Sequence, residues 1–189
     1  MSLQRCLSDF GDTMVAGTAA VIVLAWLWTR LGWVVASMFL ICFAGVLGSV
    51  VGLKFIAYGL LPPVEGSPLL ALSQGAPSGH TAFATIVYGG LAAVLVVVDR
   101  RRTAWVAAAA CAAVIATVAI TRVTLSMHTA GDVIAGFAVG VIGVAAFARV
   151  LGEQLQGRRL GALSLFALVG MAAVLLLVSG SRFETMAGL

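Results

Sequence analysis

The sequence predicts an all-α fold: a polytopic membrane helix bundle with about six transmembrane helices. Of the 189 residues, 62% are hydrophobic and 10% are charged, and the mean hydropathy is +1.14. Soluble domains are about 45–50% apolar and about 25% charged, so this composition belongs in a lipid bilayer. The length suits one integral-membrane domain over residues 1–189.

Six apolar segments predict the helices, because each approaches the roughly 20 residues that a spanning helix needs. In chain order they are Thr13–Thr29, Leu31–Leu61, His80–Val98, Thr103–Thr121, Gly131–Val150 and Leu160–Gly180. The second segment is too long for one ideal crossing and too short for two. We interpret it as one helix that projects beyond the hydrocarbon, with Lys54 toward its outer end. Before the first segment, Leu3, Leu7 and Phe10 have helical spacing, which fits a short interfacial helix or a frayed terminus.

Two glycine pairs have the small-x-x-x-small spacing that permits close helix approach. Gly48 and Gly52 lie on the second segment, and Gly136 and Gly140 lie on the fifth. With 22 glycines in the chain, such spacings also arise by chance.

The basic residues predict the orientation, since cytoplasmic loops carry an excess of Lys and Arg. Seven fall on one side: Arg30, Arg100, Arg101, Arg102, Arg149, Arg158 and Arg159. The other four fall opposite: Arg5, Lys54, Arg122 and Arg182. The first group is therefore predicted to be cytoplasmic. Loops 62–79 and 122–130, and both termini, then face outward together.

Charge and cysteine content argue against other classes of protein. The net charge is +4, but the arginines are spread through short loops without a basic stripe interleaved with aromatics, so we expect no nucleic-acid partner. The three cysteines, Cys6, Cys42 and Cys111, are odd in number, and two lie in apolar runs. They fit neither a disulfide framework nor a metal cluster. The first apolar run lacks a cationic leader, so no cleavable signal peptide is predicted.

The few ionisable groups form a pattern of their own. The chain has two histidines, His80 and His128, and one lysine, Lys54. Together with Arg122 and Asp132 they are candidates for a functional site, because ionisable groups at membrane depth are costly.

His128 and Asp132 are spaced i, i+4, so on a helix they would share one face. The carboxylate could then accept the imidazole Nδ1–H and support the cation that forms when Nε2 attacks an electrophile. The alternative is a loop histidine followed by an aspartate that caps the fifth helix.

The sequence Pro77-Ser78-Gly79-His80 predicts a turn followed directly by a helix N-terminus. Such a terminus binds anions through its backbone N–H groups, and Gly79 lets a phosphate oxygen approach the backbone. His80 could donate a proton to a leaving oxygen. The alternative is an ordinary helix cap, since Ser-Gly turns are common.

Lys54 and Arg122 supply positive charge for phosphate oxygens, lysine as a point charge and arginine as a planar fork. For both residues the alternative is snorkelling toward the headgroups.

In order and spacing, these motifs resemble the type 2 phosphatidic acid phosphatase superfamily, membrane lipid phosphate phosphatases related in fold to vanadium haloperoxidases. Its motifs read K-x6-R-P, P-S-G-H and S-R-x5-H-x3-D. The second is matched in full at 77–80. In the third, at 121–132, Thr121 replaces the serine. In the first, at 54–62, Lys54 and Pro62 hold their spacing, but Leu61 occupies the arginine position.

The resemblance implies hydrolysis of a lipid phosphomonoester or diphosphate without metal or cofactor. His128 would be the nucleophile that forms a phosphohistidine, Asp132 would orient it, and His80 would protonate the leaving oxygen. Lys54, Ser78, the Gly79 amide and Arg122 would hold the phosphoryl oxygens.

The lipid itself stays open between a polyprenyl diphosphate, toward which we lean, phosphatidylglycerol phosphate, phosphatidic acid and a lipid A phosphate. The expected location is a bacterial cytoplasmic (inner) membrane, with the active site facing outward. Two other functions compete: a lipid or anion transporter or flippase, and a catalytically inactive structural homologue.

Overall fold

The computed structural model describes residues 13–60, 76–99, 101–155 and 165–173. These residues form helices α1 (Thr13–Leu31), α2 (Trp33–Leu60), α3 (Gly79–Val94), α4 (Arg102–Thr124) and α5 (Ala130–Leu155). A π-helical turn, Leu95–Asp99, extends α3. Residues 165–173 are also helical.

The described residues form helices and the turns between them without a strand, and four of the helical segments are long and apolar enough to cross a membrane, as expected of an integral membrane protein. They are Trp33–Ala57, Gly79–Val98, Arg102–Thr124 and Ala130–Leu155. The Val15–Leu31 part of α1 is apolar but shorter. The sixth predicted segment, Leu160–Gly180, is described only at 165–173, so the count of about six spans stays a prediction. The predicted N-terminal interfacial helix lies outside the described residues.

Helix α2 is continuous over its 28 residues, as the sequence predicted. It is separated from α1 by Gly32, whose φ of +93° suits a residue without a Cβ. The Gly32 N–H donates to the carbonyls of Leu27 and Trp28, which closes the end of α1.

Helix α3 lies at the centre of the described bundle. In an 18-residue apolar stretch of its candidate span 72% is buried, against at most 33% in the corresponding stretches of the other three candidate spans. It packs most extensively against α5 and α4, and α2 covers a further side. The bundle thus places the start of α3 between its neighbours, at the level where α4 ends and α5 begins.

Glycines allow α5 to approach α3 closely. A Cβ on Gly140 would meet the Thr85 Cβ at 2.5 Å, and one on Gly136 would overlap the backbone carbonyl of Ser78. The spacing Gly136-x-x-x-Gly140 is therefore a helix contact, made with α3. A Cβ on Gly48 or Gly52 would meet nothing within 4 Å, so that pair supports no close approach among the described residues.

The outer surface is apolar, as a bilayer requires. Val21, Ile41 and Ile142 are each more than 60% exposed. Exposed tryptophans flank the arginines predicted to be cytoplasmic: Trp28 and Trp33 beside Arg30, and Trp105 after Arg102. Tryptophan is enriched where a membrane meets water, so these side chains mark an interface at that end of the bundle.

Candidate active site

The turn that ends α4 brings the backbone of His128 back to the backbone of Arg122. Ser126 has a φ of 54°, and its N–H donates to the Val123 carbonyl at 2.9 Å. The next amide, that of Met127, donates to the Arg122 carbonyl at 3.1 Å. These two bonds form a Schellman motif, with serine at the left-handed position that glycine usually takes. The His128 N–H donates to the same Arg122 carbonyl at 3.2 Å. The five residues between Arg122 and His128 in the third motif therefore form the end of α4 and the turn that closes it.

The start of α5 is a capping box built from Thr129 and Asp132. The Asp132 Oδ2 accepts a hydrogen bond from the Thr129 backbone N–H at 2.9 Å. The Thr129 hydroxyl in turn accepts one from the Asp132 backbone N–H at 3.2 Å. Reciprocal bonds of this kind fix the carboxylate relative to the loop that precedes the helix.

His128 and Asp132 do meet, although they do not share a helix face. His128 precedes α5, so the condition for a shared helix face is not met and the two residues approach each other through the loop before the helix. The loop nevertheless brings Nδ1 of His128 to 3.8 Å from Oδ2 of Asp132, with side chains 4% and 16% exposed. That distance exceeds a formed hydrogen bond, so the contact is electrostatic. Asp132 therefore caps the helix and also faces the imidazole.

The second motif is bonded directly to the third. The Ser78 backbone N–H donates to the Asp132 carbonyl at 2.8 Å. Gly136, one turn further along α5, has no side chain where the Ser78 carbonyl passes. Two motifs that lie some fifty residues apart in sequence therefore share one backbone hydrogen bond.

The start of α3 buries the side chain of Ser78. Ser78 occupies the N-cap position, as the helix-cap alternative expected, but its side chain makes no capping hydrogen bond. Its hydroxyl is fully buried, and the hydroxyl oxygen accepts a hydrogen bond from the Thr81 hydroxyl at 3.1 Å. Gly79 and His80 are the first two residues of α3, and both are half-buried. The N-terminus of α3 thus lies beside Asp132, to which the Ser78 backbone N–H connects it.

Two cations lie within electrostatic reach of His128. Burial lowers the pKa of His128 below its usual value, and the charges of Lys54 and Arg122 lower this pKa further, while Asp132 raises it. Lys54 is half-buried near the end of α2. Arg122 is 7% exposed, and its Nη1 donates to the Met127 Sδ at 2.8 Å. The lowered pKa favours a neutral imidazole, and Lys54 and Arg122 make its surroundings positively charged. Both properties suit a nucleophile that attacks an anion.

The structure describes all seven predicted site residues: Lys54, Ser78, Gly79, His80, Arg122, His128 and Asp132. A backbone hydrogen bond joins Ser78 to Asp132, and the charges of Lys54 and Arg122 act on His128. Leu61 and Pro62 of the first motif lie outside the described residues. Across the described ranges, no three His, Cys, Asp or Glu side chains gather where they could hold a metal ion.

Three residues of the site were not predicted to belong to it: Thr129, Thr81 and Gly136. The pattern Thr-x-x-Asp before an apolar run is a capping-box signature, so Thr129 was detectable from sequence. Gly136 was noted as a packing residue, but its partner was not. Nothing in the sequence distinguishes Thr81 from other helix threonines.

Comparison with known proteins gives a match to a family model but not to an individual protein. No curated protein and no solved structure matches the chain. A family model described as the PAP2 superfamily matches residues 48–156, which include Lys54 and the segments 77–80 and 121–132 that carry the second and third motifs. The match spans more than half of the chain and includes α3, α4, α5 and the site they form. The chain therefore belongs to the PAP2 superfamily, whose members are phosphatases.

Proposed function

We propose that this protein hydrolyses the phosphomonoester or diphosphate of an amphiphilic lipid, without a metal ion, through a phosphohistidine at His128. The observation that carries the proposal is the hydrogen bond between the Ser78 amide and the Asp132 carbonyl. It joins the anion-binding start of α3 to the loop that holds the only close histidine–carboxylate pair among the described residues.

In the first step the neutral Nε2 of His128 attacks phosphorus. The P–N bond forms as the bond from phosphorus to the leaving oxygen breaks, and the electron pair of that bond goes to the leaving oxygen. His80 donates a proton to this oxygen. The Asp132 carboxylate, 3.8 Å from Nδ1, stabilises the imidazolium that the attack creates.

In the second step His80, now neutral, takes a proton from water as the water oxygen attacks phosphorus. The P–N bond breaks, inorganic phosphate leaves, and His128 returns to its neutral form. In both steps Lys54 and Arg122 neutralise charge on the phosphoryl oxygens, and the Ser78 hydroxyl and the Gly79 amide donate hydrogen bonds to them.

The position of the site at the ends of apolar helices supports a substrate that lies in a leaflet. We propose a cytoplasmic membrane location with the site facing outward, and one domain over residues 1–189. The lipids named above remain the substrate candidates, with a polyprenyl diphosphate preferred.

The decisive experiment measures phosphate release by purified protein from a panel of these lipids, with and without EDTA. We expect turnover of at least one lipid, unchanged by the chelator and absent in His128→Ala. A substrate labelled at the transferred phosphate should leave acid-labile, base-stable label on the protein. Activity that EDTA abolishes and Mg²⁺ or Zn²⁺ restores would overturn the metal-free mechanism. Absence of release from every lipid would overturn the phosphatase assignment for this chain.

A further inference from the structure

The hydroxyl of Thr81 bonds differently from the hydroxyls of three other helical threonines. Those of Thr85, Thr117 and Thr121 donate to backbone carbonyls three or four residues earlier in the chain, as threonine commonly does in a helix. Thr81 instead donates to the side-chain oxygen of Ser78 at 3.1 Å. Both side chains are fully buried, so this bond orients two hydroxyls away from water.

Thr81 occupies the position from which an N-cap side chain normally receives its hydrogen bond. Ser78 is the N-cap of α3, so Thr81 is the third residue of the helix. In an ordinary cap the serine oxygen accepts the backbone N–H of the second or third helical residue. Ser78 makes no such bond, and its oxygen accepts the Thr81 hydroxyl instead. The Ser78 side chain therefore does not occupy the N–H groups of the first turn, which are the groups that bind an anion at a helix N-terminus.

The backbone of Ser78 is engaged on both sides. Its N–H donates to the Asp132 carbonyl at 2.8 Å, and its carbonyl accepts the Ala82 N–H at 3.1 Å. Its side-chain oxygen accepts the Thr81 hydroxyl. Among the described residues, the hydrogen of the Ser78 hydroxyl has no acceptor. Buried hydroxyls are normally hydrogen-bonded, so this hydrogen is the donor that Ser78 can offer to a phosphoryl oxygen.

The positions of the two hydroxyls determine which of them keeps a hydrogen for the substrate. Two hydroxyls that share one hydrogen bond have two hydrogens, of which only one lies in the bond. Thr81 lies inside the first turn of α3, whereas Ser78 lies at the end of the helix and is bonded to Asp132. Because Thr81 is the donor, the second hydrogen belongs to the residue beside Asp132.

We propose that Thr81 is a positioning residue that makes Ser78 a hydrogen-bond donor to the substrate. Its hydroxyl occupies the Ser78 oxygen, which keeps that oxygen away from the amides of α3 and directs the Ser78 hydrogen toward a phosphoryl oxygen. Without it, the Ser78 oxygen would accept an amide N–H of the first turn, as in an ordinary cap. This inference rests on the proposed function and adds a residue that none of the three motifs contains.

Two substitutions at Thr81 isolate its hydroxyl. Thr81→Ser and Thr81→Ala both lose the methyl group, so they differ from each other by the hydroxyl alone. The same pair at Thr85 is the matched control, because Thr85 is buried one turn further along α3 and its hydroxyl bonds to a backbone carbonyl. The kcat/KM for p-nitrophenyl phosphate measures turnover. The Kd for inorganic phosphate of each purified variant measures binding without turnover.

We expect kcat/KM to be about tenfold lower in Thr81→Ala than in Thr81→Ser, since a hydrogen bond to a charged oxygen contributes about that factor or more. The Kd for inorganic phosphate should rise severalfold, and the Thr85 pair should differ by less than about twofold in both measurements. Thr81→Ala should unfold in detergent at no lower temperature than Thr81→Ser, because alanine favours helix and the Ser78 oxygen can then cap α3. Loss of activity without loss of stability separates positioning from a structural role.

A double-substitution cycle tests whether Thr81 acts through Ser78. In a Ser78→Ala background the two Thr81 variants should agree within about twofold, because the group that the hydroxyl positions is gone. An active wild type in which Thr81→Ser and Thr81→Ala have equal kcat/KM, or in which their difference persists without Ser78, would overturn the inference and leave the phosphatase function standing. Equal Kd values for inorganic phosphate in the two variants would overturn it even if no substrate is hydrolysed.

Discussion

His128 depends on a few close neighbours, and single substitutions can separate their roles. His128→Ala removes the attacking atom, so we expect turnover to fall by about 10⁴-fold or more, while the protein still inserts and folds. Asp132→Asn retains an oxygen that can accept the Thr129 N–H bond, so its loss should be smaller, about 10²-fold. Phosphate release from an accepted lipid measures both. Activity of His128→Ala within a few-fold of wild type would refute its role as nucleophile.

The pH dependence of kcat/KM should report the charges around His128. Because burial, Lys54 and Arg122 lower its pKa, its acidic limb should lie below about pH 6.5. Lys54→Met removes a neighbouring cation, so the limb should move to higher pH. Asp132→Asn removes the anion that raises this pKa, so the limb should move to lower pH. Identical limbs in all three proteins would show that another group controls the profile.

Ser126 tests the loop that positions His128. Its φ of 54° is unfavourable for a β-branched side chain, so Ser126→Val should reduce stability by about 1–2 kcal/mol. Ser126→Gly should be near neutral, because relief of strain is offset by the greater freedom of glycine in the unfolded chain. Thermal unfolding in detergent measures both variants. A Ser126→Val protein as stable as Ser126→Gly would contradict the left-handed conformation.

At the scale of elements, the contact between α5 and the start of α3 assembles the site. A methyl group on Gly136 would overlap the Ser78 carbonyl. We therefore expect Gly136→Ala to cost about 1–3 kcal/mol and to lower kcat up to about 10²-fold, since the Ser78 turn must shift away from Asp132.

Gly152→Ala is the matched control for this contact, because Gly152 lies on the same helix with nothing within 4 Å. It should retain full activity and gain slightly in stability, as alanine favours helix more than glycine does. Equal activity in Gly136→Ala and Gly152→Ala would show that the close approach is dispensable.

For the whole molecule, the distribution of arginines predicts which membrane face holds the site. Cysteines at Ser73 and Gln156, two positions outside the described residues, can report it in a background without Cys6, Cys42 and Cys111. In intact cells a membrane-impermeant maleimide should label position 73 and spare position 156. The reverse pattern would place the site in the cytoplasm, and labelling of both would refute the predicted number of crossings.

The sequence by itself determined the membrane class, the run of helices and the residues of the candidate site. Hydropathy, turn residues and motif spacing are local properties, so they can be read without knowing which helices are neighbours. Local signals also predicted a break between the first two helices at Arg30 and a turn before α3 at Pro77-Ser78-Gly79-His80, and a helix cap at Asp132 was one of the two interpretations of that residue.

Only the tertiary structure decided how those residues meet. The bond from the Ser78 amide to the Asp132 carbonyl and the contact of Gly136 with Ser78 depend on which helices pack together. Glycine pairs with the same spacing illustrate this: Gly136 and Gly140 contact α3, whereas a Cβ on Gly48 or Gly52 would meet nothing. The sequence pattern is identical in the two helices, and the neighbouring backbone makes the difference.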